Sequence, residues 1–263
     1  MFEDPIISVR NIVAGYGEDI ILNGVSLDVF RGEILVILGA SGCGKSTLLR
    51  HMVGLDRVVS GTVLIDGVDI TQCSSGEYHR TLRKIGVLFQ GSALFGSMTI
   101  GENVALPILE YAGLDKGAAE SLATMKLCAV GLDGYENHLP SEISGGMKKR
   151  AGLARSLALN PGILFLDEPT SGLDPVISAE IDDLIRRINQ SLGTTMVIVT
   201  HDLGTILSVA DRSIMLDKSR KGIIAEGDPH ELKRLSVNPI VRNFFLRQAK
   251  GPAEDRNTGE RDV

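Results

Sequence analysis

The sequence is short of cysteine, and the three it has, Cys43, Cys73 and Cys128, stand in no metal-ligand spacing and cannot all pair. A disulfide scaffold is thereby excluded, and reduced thiols fit a cytosolic chain. Long apolar runs are missing too. Stretches such as Ile34 to Leu38 and Ile163 to Leu166 fall far short of the ~18 residues that read as a membrane span. No charged-then-apolar leader with a small-residue cleavage site opens the chain. The expectation is a protein made and kept in the cytosol, docked on a membrane only through a partner. There is no basic excess. Lys and Arg number 27 against 33 Asp and Glu, a net charge of −6, which argues against a nucleic-acid partner. No internal repeat is evident. Only 248–263 is biased, a charged stretch with little to bury that reads as a flexible tail.

What remains is the balance of a globular protein, 43% apolar and 23% charged over 263 residues, enough to bury a full core. Three zones follow one another. In 1–89, Ile6 to Val13 is β-branched, and Val25, Leu27 and Val29 alternate with Ser26, Asp28 and Phe30, the pattern of a half-exposed antiparallel strand. Glu33 to Leu38 and Ile85 to Phe89 read as strands buried on both faces. Thr62 to Ile65 is a short strand before the turn Asp66-Gly67. Between about 91 and 158 the period becomes helical, with Met147, Ala151, Ala154 and Ala158 on one stripe. Lys148, Lys149 and Arg150 fall largely off it and read as a solvated face. From about 160 to 235 strands and helices alternate. Ile163 to Leu166, Met196 to Val199 and Ser213 to Leu216 are strands, and Ile177, Ile181, Leu184 and Ile188 form a helical stripe with Asp174 as N-cap and Pro175 as first helical residue. Such alternation favours an α/β fold with a mostly parallel sheet, interrupted by the helical zone as an insert.

Chemistry concentrates in three places. Gly39-Ala40-Ser41-Gly42-Cys43-Gly44-Lys45-Ser46-Thr47 fits G-x-x-x-x-G-K-[ST] between a buried strand and the apolar pair Leu48 and Leu49. The glycines let backbone N–H groups point inward at phosphate oxygens, and a following helix N-terminus adds positive potential. Lys45 reaches the β- and γ-phosphates and Ser46 offers its hydroxyl to Mg²⁺; Cys43 is small filler. Second, the strand Ile163 to Leu166 ends in Asp167 and Glu168, on the ligand edge of a parallel sheet. Asp167 is placed to hold Mg²⁺ and Glu168 to polarise an attacking water. Third, Ser144-Gly145-Gly146 opens a helix and suits an anion.

With these motifs the chain resembles the nucleotide-binding subunits of ABC transporters, from about Ile6 to about Leu235. The resemblance implies a P-loop NTPase (RecA-like) core over about 1–89 and 160–235, with an N-terminal antiparallel β layer and an inserted α-helical subdomain over about 91–158. Together with the rest of 1–247 these make one ATPase domain. It implies that Gly39 to Thr47 is the Walker A loop, that Phe165 to Glu168 closes Walker B, and that Ser144-Gly145-Gly146 is the family signature. It further makes Gln90 the Q-loop glutamine, a catalytic residue beside Glu168 and a ligand of Mg²⁺-bound water. Ser171 to Asp174 becomes the D-loop, with Asp174 at the nucleotide. His201 becomes the switch histidine and Tyr16 the aromatic stacked on adenine. ATP and Mg²⁺ are the implied cofactors.

The implied partners are a second copy, whose signature closes over ATP held by the first, and separate permease subunits. The apolar Leu94, Phe95 and Met98, within 90–107, lie where a permease helix would press. Met147 stands where many importer subunits have Gln. This resembles the subgroup serving MCE-type lipid-transport systems, the Mla phospholipid pathway among them, as do Gln90 to Phe95, Asn103 to Pro107 and Val241 to Phe245. An MCE-domain protein and a small regulatory subunit are further partners that this subgroup implies, at the cytoplasmic face of the inner membrane. The competing readings are an importer ATPase for a polar solute such as an amino acid, a non-transport ABC clamp, a nucleotide-sensing module without turnover, and a P-loop kinase. The absence of a long coiled-coil insertion and of a second ATPase module opposes the clamp. Glu168 and His201 oppose the sensor, and the signature opposes the kinase.

Overall fold

The computed structural model describes residues 5–17 and 19–247, so the tail expected over 248–263 lies outside the described residues. The chain opens with β1 (Ile7–Tyr16) and β2 (Asp19–Val29), paired antiparallel. Val25, Leu27 and Val29 face inward as their alternation requires. β3 (Ile34–Leu38) follows, and a glycine-rich loop leads into α1 (Lys45–Met52). β4 (Ser60–Ile65) returns to pair with β1, and Asp66 and Gly67, both at positive φ, turn the chain into the short β5 (Val68–Asp69). These strands form a four-stranded antiparallel sheet in the order β2-β1-β4-β5.

After α2 (Ser75–Leu82) and β6 (Ile85–Leu88) come α3 (Ile100–Tyr111), α4 (Lys116–Ala129) and, past a 3₁₀ turn at Pro140–Glu142, α5 (Gly145–Ser156). Then β7 (Ile163–Asp167), α6 (Pro175–Leu192), β8 (Thr195–Val199), α7 (Leu203–Val209), β9 (Arg212–Asp217), β10 (Gly222–Gly227), α8 (Pro229–Leu235) and α9 (Pro239–Phe245) complete the described chain. The second sheet has six strands in the order β10-β9-β3-β8-β7-β6. β9, β3, β8, β7 and β6 run parallel and only β10 is antiparallel to its neighbour. The fold is α/β, as the alternation predicts.

The continuous apolar runs have a direct cause. Leu35 and Ile37 of β3, Ile163 and Phe165 of β7, and Val197 and Val199 of β8 face one core, shared with α1 and the antiparallel sheet. Val36, Leu38, Leu164, Leu166, Met196 and Ile198 face a second core, shared with α3 to α7 and α9. Both faces of these strands are covered, so their side chains are apolar apart from Asp167 at the end of β7 and the buried Thr195 at the start of β8. Each such side chain contributes about 1.5–3 kcal/mol of burial.

β6 departs from expectation. It closes the sheet as an edge strand, and Ile85 and Val87 are only half-buried while Gly86 and Leu88 are enclosed. Gly86 lies so close under the end of α5 that a Cβ there would stand 2.1 Å from the Ser156 carbonyl oxygen. In α6, Asp174 caps as predicted, accepting from the N–H groups of Val176 (3.0 Å) and Ile177 (3.1 Å). Ile185 joins Ile181, Leu184 and Ile188 in the core, whereas Ile177 sits at its margin.

Candidate functional site

Strands β3, β6, β7 and β8 end on one rim, and each carboxyl end delivers polar groups there. Beyond β3 the loop from Gly39 to Gly44 curls through positive φ at Gly39, Gly42 and Gly44. At Gly39 only glycine fits, because a Cβ would lie 2.4 Å from the Leu216 carbonyl oxygen. Cys43 points into the core, where burial pushes its thiol pKa up, so it is packing rather than chemistry. Ala40 and Ser41 are exposed and Thr47 is buried in α1. Lys45 is buried and its Nζ donates to the carbonyls of Gly39 (2.9 Å) and Ala40 (3.2 Å), folding the cation over the loop.

Across from it, Ser46 Oγ donates to Asp167 Oδ1 at 3.2 Å. A hydroxyl and a carboxylate converging at the foot of a phosphate loop are the oxygen donors that a hard divalent cation takes, so the residues fit Mg²⁺. Burial raises the Asp167 pKa, while the Ser46 hydrogen bond and Lys45 oppose the shift. Glu168 is 8% exposed and holds a left-handed backbone, φ 48, stabilised by its N–H donating to Val199 O at 2.8 Å. Non-glycine residues in that conformation cost of order 1 kcal/mol and gather at working sites. Its Oε1 lies 2.6 Å from His201 Nδ1 and its Oε2 accepts from Thr200 Oγ1 at 3.2 Å. An ionised carboxylate offers only lone pairs, so the Nδ1–H of His201 is the donor in this pair.

Ser41, Gly42, Gly44 to Thr47, Gln90, Glu168 and His201 enclose one cavity of about 300 Å³. The other expected site residues are elsewhere. Tyr16, 53% exposed at the end of β1, does not line this cavity. Nor do Ser144 and Gly145, exposed at the start of α5, or Gly146, packed under Ile177. Ser144 Oγ accepts from Met147 N at 3.3 Å. The Asp174 carboxylate is engaged as the cap of α6.

Lys149 and Arg150 correct the reading of the basic trio as a solvated face, while Lys148 is half-exposed. Lys149 is 6% exposed, and its Nζ donates to Gln90 O (2.5 Å), Glu168 O (2.9 Å) and Ser171 Oγ (3.4 Å). Arg150 donates to Val130 O (3.0 Å) and pairs with Glu180 (2.7 Å). Gly146 and Gly152, each three residues from Lys149, carried the missed signal, since small residues at that spacing mark the closely packed face of a helix. Also missed were Arg155, which donates to Ser92 O and Ala93 O (2.9 and 2.8 Å), and the buried Asn103, whose Oδ1 accepts from Phe95 N at 2.8 Å. Together these brace the segment after Gln90.

A second cavity, about 940 Å³, opens beside β6. Phe89, Ala93, Phe95, Leu106, Pro107 and Tyr111 line it with Arg83 and Arg155. Phe95 is 52% exposed there, whereas Leu94 is half-buried against the core and Met98 does not line the cavity. Among the described residues no helix is long and apolar enough to cross a membrane.

Residues 22–171 match the family model described as "ABC transporter". The chain is 43% identical over 246 residues to the "Probable ribonucleotide transport ATP-binding protein mkl" of Mycobacterium leprae, covering 94% of this chain and 70% of that protein. It is 38% identical over 247 residues to the "Intermembrane phospholipid transport system ATP-binding protein MlaF" of Haemophilus influenzae, covering 94% and 92%. A solved structure described as the dimeric post-hydrolysis state of the ATP-binding cassette MJ0796, bound to ADP and Pi, superposes with a TM-score of 0.76 at 33% identity, covering 84% of this chain and 98% of that one. The agreement reaches well beyond the phosphate loop, and the chain belongs to the ABC transporter family as an ATP-hydrolysing subunit.

Proposed function

We propose that the chain drives a separate permease by closing on ATP as a homodimer, and that the cargo is a phospholipid or another hydrophobic molecule. One observation carries the hydrolytic part: Glu168, braced by His201 and Thr200, faces Lys45 and Ser46 across a single small cavity. In this reading the loop N–H groups and Lys45 hold the phosphates, and Ser46 and Asp167, with Gln90 at the wall, hold Mg²⁺. Bound Mg²⁺ would supply electrostatic stabilisation of the phosphoryl oxygens. Glu168 orients and polarises the attacking water and His201 contacts the γ-phosphate. Tyr16 stacks on adenine.

The dimer reading rests on Ser144 and Gly145 standing exposed at a helix N-terminus outside their own chain's cavity. An anion site of that kind is free to serve a neighbour. The dimeric state of the similar MJ0796 cassette supports the same reading. With Asp174 capping the helix beside the signature, the seam receives residues from both copies.

The permease reading rests on the apolar cavity beside β6, where Phe95 and Tyr111 stand exposed next to arginines that can meet a polar rim. The assembly would sit at the cytoplasmic face of the inner membrane, with an MCE-domain protein and a small regulatory subunit as further components. The likeness to the phospholipid-system relative supports the lipid cargo, as does Met147 in the signature. The mycobacterial relative, named for ribonucleotide transport, favours a second reading with a polar cargo.

The first test is Glu168→Gln. ATP binding is retained, turnover falls about 10²–10⁴-fold, and the variant doubles its mass in ATP on light scattering. Undiminished turnover overturns the assignment of Glu168, and a persistent monomer overturns the dimer. ATP-dependent movement of labelled phospholipid between vesicles holding the assembled transporter tests the cargo. Movement of a ribonucleotide or an amino acid instead establishes the second reading.

A further inference from the structure

Lys149 is a buried cation that hydrolysis, as derived above, does not use. Taking an ammonium group out of water is costly unless every N–H finds an acceptor. Here the three N–H groups meet three acceptors on three separate segments. These are the Gln90 carbonyl after β6, the Glu168 carbonyl after β7, and the Ser171 hydroxyl on the turn toward α6. Two of those residues, Gln90 and Glu168, send their side chains into the nucleotide cavity from different strands. The ladder between β6 and β7 holds the two segments together as far as Leu88 and Leu166, and beyond it Lys149 ties both to α5.

The Glu168 carbonyl also accepts from Ser171 N at 3.2 Å, so Lys149 is the second donor on a residue held at φ 48. A left-handed residue persists only where its surroundings over-determine it. The lysine itself is rigidly seated, because Gly146 and Gly152 on the same helix face let α5 approach Ile177 and Leu88 closely.

We propose that Lys149 is a positioning residue for ATP hydrolysis, fixing the Gln90 and Glu168 backbones to helix α5 so that their side chains stand in register across the cavity. This rests on the ATPase reading of the site and adds to it a residue that touches neither nucleotide nor water. It also carries a mechanical consequence. Any displacement of α5 is passed through Lys149 to the backbones of both Gln90 and Glu168, with Arg155 of the same helix carrying Ser92 and Ala93 along, whereas the phosphate loop before α1 receives no bond from Lys149.

The test compares wild type, Lys149→Met and Lys149→Gln by equilibrium ATP binding, steady-state turnover and thermal melting. Lys149→Met keeps the length and loses the donors. Its kcat is expected to fall about tenfold or more, as small misplacements of reacting groups do. ATP affinity and KM are expected to stay within about twofold, because the phosphate loop is untouched. Lys149→Gln, whose amide can serve two of the three acceptors, is expected to regain part of the lost kcat. Wild-type kcat in Lys149→Met overturns the proposal. So does a parallel loss of kcat, ATP affinity and melting temperature in both variants, the mark of a merely structural lysine.

If Lys149→Met does not fold, amide hydrogen exchange at Gly91 and Ser92 in Lys149→Gln decides. Faster exchange than wild type supports the tie, and unchanged exchange overturns it. If wild type itself has no turnover that Glu168→Gln removes, the ATPase reading fails and this inference with it. Normal wild-type turnover with an indifferent Lys149 fails this inference alone.

Discussion

The two cavities of the molecule are built by opposite means. The small one, about 300 Å³, is made where parallel strands end, and its walls are backbone, hydroxyls, a lysine and a carboxylate–imidazole pair. The larger one, about 940 Å³, lies along the sheet's open edge, and its walls are mostly apolar side chains from α2, β6, α3 and the end of α5. Backbone groups at strand ends are fixed by a core covered on both faces, so they suit an ionic ligand that must be held to a fraction of an ångström. Side chains on helices at an edge suit a broad apolar contact whose strength comes from area and a few anchors. In the proposed reading, the difference separates the place that holds ATP from the place that meets the permease.

Substitutions can break that division or sharpen it. The largest effect is expected from Lys45→Ala, which removes the cation of the small cavity. ATP binding and turnover fall by about 10²–10³-fold, measured by nucleotide titration and phosphate release, while membrane association through the apolar cavity, as proposed, is retained. Next is Gly86→Ala on the floor of the larger cavity. Its Cβ would meet the Ser156 carbonyl at 2.1 Å, so the fold loses about 1–3 kcal/mol by overpacking. Chemical denaturation reads this, and unchanged stability would mean that α5 yields freely. Phe95→Glu is expected to leave turnover of the isolated chain within about twofold while abolishing co-purification with membranes that carry the permease. Retained membrane association would move the docking contact elsewhere.

The smallest effect lies outside both cavities, at Asp182, where burial lifts the carboxyl pKa to about 6 despite hydrogen bonds from Thr205 and Ser208. A carboxyl raised on folding contributes stability that is full below about pH 4 and is lost as pH rises through about 6. Asp182→Asn should therefore gain on wild type across that window in melting experiments, with ATP turnover unaffected. A pH-independent difference would show that the carboxyl stays ionised.

Much of this division could be read in the sequence because its determinants are contiguous. The phosphate loop is nine successive residues, and the strands that carry it announce themselves as unbroken apolar runs. The pairing of Glu168 with His201 was not legible, since it depends on β7 and β8 lying side by side in register. Lys149 misled because charge normally points outward, and only the glycines at three-residue spacing hinted otherwise. β6 read as doubly buried because its composition cannot tell an edge from a centre. The N-termini of α2 and α3 were overlooked although Ser74 with Glu77 and Thr99 with Glu102 form capping boxes, which the pattern S/T-x-x-E marks in advance.

One feature of the sheet sets a timetable for biosynthesis. Ile34 pairs with Met196, and Leu35 with Arg212, so the strand preceding the phosphate loop acquires its flanking partners only when most of the polypeptide has left the ribosome. The antiparallel sheet, complete by Asp69, can assemble far earlier from near neighbours. A nascent chain stalled before residue 195 should thus be unable to retain ATP, and during that interval the unpaired edges of β3 are exposed to chaperones and to aggregation.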